Sequence, residues 1–260
     1  MPQIRIGIQL ASLRLPFRKA LEQAARMGAE AVEIDARQEL KPADISRTGL
    51  RQIRTYLDNY NLRVAAVSFR TRRGYDVTAE LDRRLTATKE TLRFAYELGC
   101  SVVINQIGTV PKESSGPAWD TLLQALSDLG SYSQRIGAFL AAETGTESGA
   151  DLARLIQALP IGSLTVNLDP GNLIINGFSA QEATQALGKH VVHVHARDAV
   201  RDLARGRGLE TPLGRGSVDF PELLGTLEEQ AYHGYFTIVR EQSDDPITEI
   251  GYAVKYLRSL

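Results

Sequence analysis

Cysteine is nearly absent. Cys100 is the only one in 260 residues, so no internal disulfide can form, and the expectation is a reducing compartment, the cytoplasm. Long apolar runs are missing too. No stretch reaches the ~18 consecutive apolar residues of a membrane span, and Met1-Pro2-Gln3-Ile4-Arg5 enters a strand pattern without an apolar targeting segment. Neither sign of charge dominates: 30 basic against 31 acidic residues give a net charge of -1, with no long charge run. Generic electrostatic attraction to nucleic acid is therefore not expected, nor is a membrane partner. Cysteine pairs, a His-Glu-x-x-His helix and a phosphate-binding P-loop are all lacking. Histidine is scarce and uneven, with three of the four residues lying between His190 and His195.

What is present is a regular alternation of strand and helix patterns. Strands are predicted to begin near residues 4, 31, 62, 101, 138, 164, 191 and 234. Between them lie apolar stripes of helical period, closed by signals such as Gly28, Gly99 and Pro160. Asp76 or Thr78 is the expected cap of the helix Leu81 to Leu98, and Ser179 that of the helix Ala180 to Leu187. Pro170-Gly171-Asn172 reads as a turn, and 197–217 as a polar loop. The loop Gln106 to Trp119 is polar enough to cover a site as a lid. Eight strands alternating with eight helical stretches, most spaced by ~26–40 residues, predict an α/β chain folded as a single (β/α)8 TIM barrel over residues 1–260. The competing architecture, an open doubly wound sheet, normally carries a glycine-rich turn after its first strand. Here that turn is Ala11-Ser12-Leu13-Arg14.

A barrel brings the C-terminal ends of its strands to one rim. Collected there are Asp35, Arg70, Asn105 or Gln106, Glu143, Asp169, His195 and Glu241. The last four end predicted strands five to eight in turn. Three confined carboxylates repel one another and raise each other's pKa values, a cost that a divalent cation removes. Three oxygen donors and one nitrogen suit Mn2+ or Mg2+ best, with Zn2+, Co2+ or Fe2+ as further options. In Val191-Val192-His193-Val194-His195 the period of two puts both imidazoles on one face, with His193 one layer deeper, in the core or supporting a ligand. Asp198 is expected to orient Arg197 or a ligand. Arg215 and Arg240 are candidate anchors for a substrate phosphate or carboxylate. His190 and His233 fall at the opposite rim.

The segments Ala142-Glu143-Thr144, Leu168-Asp169-Pro170-Gly171-Asn172, His193-Val194-His195-Ala196-Arg197-Asp198, Leu213-Gly214-Arg215-Gly216-Ser217-Val218-Asp219-Phe220 and Val239-Arg240-Glu241 carry a resemblance. With them, the whole chain resembles the sugar phosphate isomerase/epimerase family of xylose isomerase-like barrels, which includes ketose 3-epimerases, hydroxypyruvate isomerases and inosose dehydratases. The resemblance implies one divalent metal ion per chain held by Glu143, Asp169, His195 and Glu241. Glu143 and Glu241 would also form the acid/base pair on the two substrate faces. It further implies a small polyol or keto sugar substrate near Gln106, Asn172, Arg197, Arg215 and Arg240, and a homodimer. Two positions depart from the ketose epimerases. Asn172 stands where they carry a histidine, and Glu147, four residues after Glu143, only loosely matches their second glutamate.

The expected reaction is isomerisation or epimerisation of a small sugar, sugar phosphate or hydroxy-keto acid, by proton transfer through a metal-stabilised enediolate. A metal-dependent dehydratase of a cyclic polyol would use the same site and expel a hydroxyl. A non-catalytic ligand-binding barrel is the third reading. Abasic-site endonucleases share the fold, but need several histidines from different strands, which four histidines so grouped cannot supply.

Overall fold

The alternation read from the sequence closes into a ring. The structure, a computed structural model, describes residues 4–202, 204 and 206–260. In chain order the regular elements begin with β1 (Arg5–Gln9), α1 (Phe17–Arg26), β2 (Ala31–Asp35), α2 (Arg47–Asn59), β3 (Arg63–Ser68), α3 (Leu81–Glu97) and β4 (Val102–Asn105). They continue with α4 (Pro117–Ile136), β5 (Phe139–Glu143), α5 (Gly149–Ala158), β6 (Thr165–Leu168), α6 (Pro170–Ile175), α7 (Ala180–Leu187) and β7 (Val191–Ala196). The chain closes with β8 (Asp198–Val200), β9 (Leu209–Thr211), α8 (Phe220–Glu229), β10 (Tyr235–Ile238) and α9 (Pro246–Ser259). Eight parallel strands form a closed barrel in the order β1-β10-β7-β6-β5-β4-β3-β2, and β8 and β9 pair as a separate antiparallel ribbon.

Local chemistry accounts for most boundaries. Ser46, Ser148, Ser179, Asp219 and Asp245 each accept a backbone N–H at a helix start, which satisfies a donor the helix leaves unpaired. Three expectations change. Neither Asp76 nor Thr78 caps α3; Glu80 precedes it in the left-handed region at φ 55°, with no side-chain cap. The turn after β6 winds into α6, because Asp169 itself caps that helix by accepting Asn172 N–H at 2.7 Å. The polar loop after β7 contains the β8–β9 ribbon.

Strands buried on both faces read as continuous apolar runs, and β2, β4, β6 and β7 are almost wholly buried. The parallel pairing is regular except at two points. The register shifts between Val32 and Glu33 on β2 against β3, and between Val166 and Asn167 on β6 against β7. Such irregularities re-aim a side chain, and Glu33 and Asn167 are the residues that meet the histidines of β7 inside the barrel.

Candidate active site

The β7 alternation sends His193 and His195 into the barrel, both buried, their rings edge-on with centroids 5.4 Å apart. Each nitrogen of His193 has a partner, Asn167 Oδ1 and Thr237 Oγ1, both at 2.8 Å. Burial depresses the His193 pKa to about 3, so this ring is neutral and held in place. His195 Nε2 lies 2.7 Å from Glu33 Oε2. Its Nδ1 lies 3.1 Å from Asn167 Nδ2 and 3.4 Å from Asp169 Oδ2. Between Glu33 and Asp169 the ring is protonated on both nitrogens; once Nδ1 loses its proton to a cation, Nε2–H still donates to Glu33 and Nδ1 is the lone-pair nitrogen on the side of Asp169.

Burial alone would raise the Glu33 pKa, but the charge and hydrogen bond of His195 outweigh it and hold Glu33 ionised. Burial would likewise lower that of His195; Glu33 and Asp169 outweigh it and raise it. Glu33, His193 and His195 together place one ligand atom each within 4.8 Å of one another, a buried group able to hold a divalent ion. Among the described residues this is the tight cluster of metal-ligand type, and it is a Glu–His–His set rather than a Glu143/Glu241 pair. Glu33 was not singled out in the sequence. It sits inside an apolar strand, two residues before the rim residue Asp35, and its only signal was a buried-type strand carrying an acid in its middle.

Above this layer the predicted rim residues converge. Gln106, Glu143, Asn172, Arg197 and Glu241 line one cavity of about 130 Å3. Glu143 is almost fully buried, with Gln106 Nε2 at 3.3 Å and Arg70 at 3.6 Å from its Oε1. Arg70 also pairs with Glu241 at 2.7 Å. Arg197 reaches Asp169, Glu210 and Glu241 at 3.5, 3.4 and 3.0 Å. Two guanidinium groups thus lie among the carboxylates. Burial would raise the pKa values of Asp169 and Glu241, but Arg197, joined at Glu241 by Arg70, holds both below the ordinary range. Even so, Glu143 Oε2 is buried without a hydrogen-bond donor, and Asp169 Oδ2 has only the long contacts with His195 and Arg197, a state that costs free energy unless a cation or donor completes it. The acidic donor set and these two under-satisfied oxygens fit a divalent ion.

Several candidates have other roles. Asn172 donates N–H to Asp169 and its amide to the Thr144 carbonyl at 2.8 Å. Arg240 is paired with Glu210 at 3.0 Å and Glu249 at 2.6 Å, so its charge is already used. Arg215 is exposed and lines none of the cavities described here. Asp198 does not orient Arg197. Its carboxylate accepts the N–H groups of Ala199, Gly214, Gly216 and Val218, and so shapes the loop after β9. Trp119 is buried on α4 with Arg154 stacked 5.0 Å over it, a core position rather than a lid tip. Asp35 organises its own turn by accepting the N–H groups of Arg37 and Gln38. Glu210, buried on β9, is a further residue missed in the sequence. It accepts the N–H groups of Glu241 and Gln242 at 3.0 and 2.7 Å and fixes the end of the last barrel strand.

Fold and site define an enzyme built on a closed eight-stranded barrel with a buried cluster inside it able to hold a metal ion. The chain belongs to the xylose isomerase-like TIM barrel family, whose model matches residues 21–260. It is 24% identical over 221 residues to an inosose dehydratase of Geobacillus thermodenitrificans, covering 72% of this chain and 71% of that protein. A xylose isomerase domain protein from Planctomyces limnophilus superposes with a TM-score of 0.87 at 26% identity, covering 99% and 97% of the two chains. A D-allulose 3-epimerase from Methylomonas sp., solved with D-allulose, superposes at 0.76 and 19% identity over 99% and 97%, a likeness of fold. No helix among the described residues is long and apolar enough to cross a membrane.

Proposed function

We propose that the protein is a divalent-metal-dependent isomerase or epimerase of a small sugar or hydroxy-keto compound, with Glu143, Asp169, His195 and Glu241 as the metal ligands. The observation that carries this reading is the pair of under-satisfied buried oxygens, Glu143 Oε2 and Asp169 Oδ2, beside a histidine whose other nitrogen is held by a carboxylate. A carboxylate behind a metal-ligating imidazole fixes its tautomer and raises its basicity, which is the role assigned to Glu33. Recruiting His193 as a ligand would cost a 2.8 Å hydrogen bond to Asn167 or Thr237, whereas His195 Nδ1 would give up only the 3.1 Å contact with Asn167 Nδ2 and already faces Asp169. When bound, the ion supplies positive charge that stabilises an enediolate formed from the substrate.

The chain's own groups do the rest. Glu143 takes a proton from the carbon beside the substrate carbonyl, and Glu241 serves the opposite face. Gln106 holds Glu143 at Oε1. Arg70 lies beside Glu143 and, with Arg197, holds Glu241 ionised.

The similarity to an inosose dehydratase favours a second reading on the same residues. There the proton removed by Glu143 is followed by loss of a neighbouring hydroxyl as water. One experiment separates the two. Keto sugars, hydroxypyruvate and inososes are incubated with the Mn2+-loaded protein in D2O. Deuterium at the carbon next to the carbonyl, with substrate mass otherwise kept, supports isomerisation; a product lighter by water supports dehydration. Manganese titration of Glu143→Gln and Glu33→Gln tests the ligand set. Glu143→Gln is expected to abolish binding, while Glu33→Gln weakens it by roughly 10–100-fold, as loss of a supporting hydrogen bond does. Full binding by Glu143→Gln, together with none by Glu33→Gln, would assign the ion to the Glu33–His193–His195 cluster instead.

A further inference from the structure

Beside the carboxylate cavity lies a larger one, of about 670 Å3, on the β1–β3 side of the barrel mouth. Arg70, Gln106 and Glu241 line both, so the two spaces adjoin. The wall of the larger cavity carries five arginines against two carboxylates, Asp35 and Glu241. Arg70 and Arg240 are committed to glutamates. Arg14, Arg37 and Arg72 have no carboxylate partner among the described residues. Arg14 and Arg37 donate only to backbone carbonyls, Arg14 to those of Ser243 and Glu241 and Arg37 to that of Arg70. These contacts hold each guanidinium in place without neutralising it.

The loop bearing Arg72 is fixed rather than loose. Tyr75 is fully buried, with its hydroxyl 2.7 Å from both Thr88 and Asn105 and its N–H donated to the Ile107 carbonyl. Gly74 lies so close to Gly108 that a Cβ there would come within 2.0 Å of the Gly108 Cα. Arg72 also reaches a neighbouring cavity of about 380 Å3, shared with Arg37 and walled further by Arg73. Anchored backbone with uncompensated guanidinium tips around a cavity that opens onto the reacting site is the construction of an anion subsite.

We infer that the substrate carries an anionic group, a phosphate or a carboxylate, seated in this cavity by Arg14, Arg37 and Arg72 while its carbonyl end faces Glu143. The inference rests on the proposed function for the position of the carbonyl end, but the subsite itself does not require the metal. It sets the substrate apart from neutral sugars and inososes. It also moves the anchor from Arg215 and Arg240, the sequence candidates, to the β1–β3 side.

The test uses inorganic phosphate and malonate as probes, titrated into the full-length protein at constant ionic strength and followed by calorimetry and thermal melting. Arg37→Ala/Arg72→Ala is the test variant, and Arg215→Ala, which also loses an exposed charge, is the control. At least one probe should bind saturably and raise the melting temperature of the parent and of Arg215→Ala. The double variant should lose roughly tenfold or more in affinity, as expected when charge-assisted hydrogen bonds are removed. Stronger binding of phosphate names a phosphorylated substrate, and stronger binding of malonate a carboxylated one. No saturable binding of either probe, or equal binding by the double variant, overturns the inference. Manganese binding is measured separately on the same proteins. Its absence would overturn the proposed metal site and leave the anion result standing.

Discussion

Glu147 carries a feature that no reading of the sequence disclosed. It is buried, one of its oxygens has no partner, and burial, aided by Asp151, pushes its pKa from the ordinary 4.5 to about 7 against a hydrogen bond from Thr146. Between those values the unfolded chain has released the proton that the native state keeps. Stability therefore falls as pH rises through the window, and the loss is complete above it. Glu147→Gln removes this term. Relative to the parent, the variant should gain stability between pH 5 and pH 8, by up to about 3 kcal/mol, measured by urea unfolding at the two pH values. An equal difference at both would mean that Glu147 ionises normally. Thr237 offers a second test at this scale. Thr237→Val leaves His193 Nε2 without its partner deep in the barrel. An unfolding free energy lower by about 1–3 kcal/mol is expected, with the far-UV spectrum unchanged.

At the scale of elements, the strands were legible because parallel strands buried on both faces are apolar throughout and end abruptly in polar residues. Residues 102–105 and 139–143 show this directly. Helix ends marked by Ser179 or Gly28 were equally plain. What escaped were features fixed by contacts distant in sequence. The β8–β9 ribbon has three residues per strand and is held by Asp198 reaching sixteen to twenty residues ahead. The start of α3 depends on a left-handed Glu80, which no propensity announces. Glu33 and Glu210 become recognisable only once β2 faces β7 and β9 lies against the end of β10. The Gly-x-Gly segment was seen as a motif, but its reason is spatial. A Cβ on Gly216 would come within 2.0 Å of Asp198 Oδ1. Gly216→Ala should therefore displace the Asp198 carboxylate and loosen residues 209–218. Faster amide exchange in that segment, with the barrel strands unchanged, is the expected result. Protection equal to the parent's would show that the loop does not depend on the contact.

Across the whole molecule, the barrel mouth concentrates more charge than a metal-free interior holds comfortably. Glu33, Glu143, Asp169 and Glu210 are all buried, answered by His195, Arg70, Arg197 and Arg240 from other strands and loops. Removing one member of such a network strands its partner in low dielectric, so each strand end depends on the others. A ligand that binds only the closed ring stabilises it by mass action. At a free Mn2+ concentration about a hundredfold above its dissociation constant, the gain is about 2.7 kcal/mol, equivalent to a melting point higher by roughly 5–10 °C in a chain of this size. Chelation should reverse it. The proposed ligand set makes a sharper demand: Asp169→Asn should melt at the same temperature with and without Mn2+. Its own metal-free melting point should fall, because Arg197 and His195 hold Asp169 ionised and lose their partner when it is neutralised. A manganese-dependent shift that persists in Asp169→Asn would move the ion down to the layer of Glu33, His193 and His195. A shift lost there and kept in Thr237→Val would hold it at the rim.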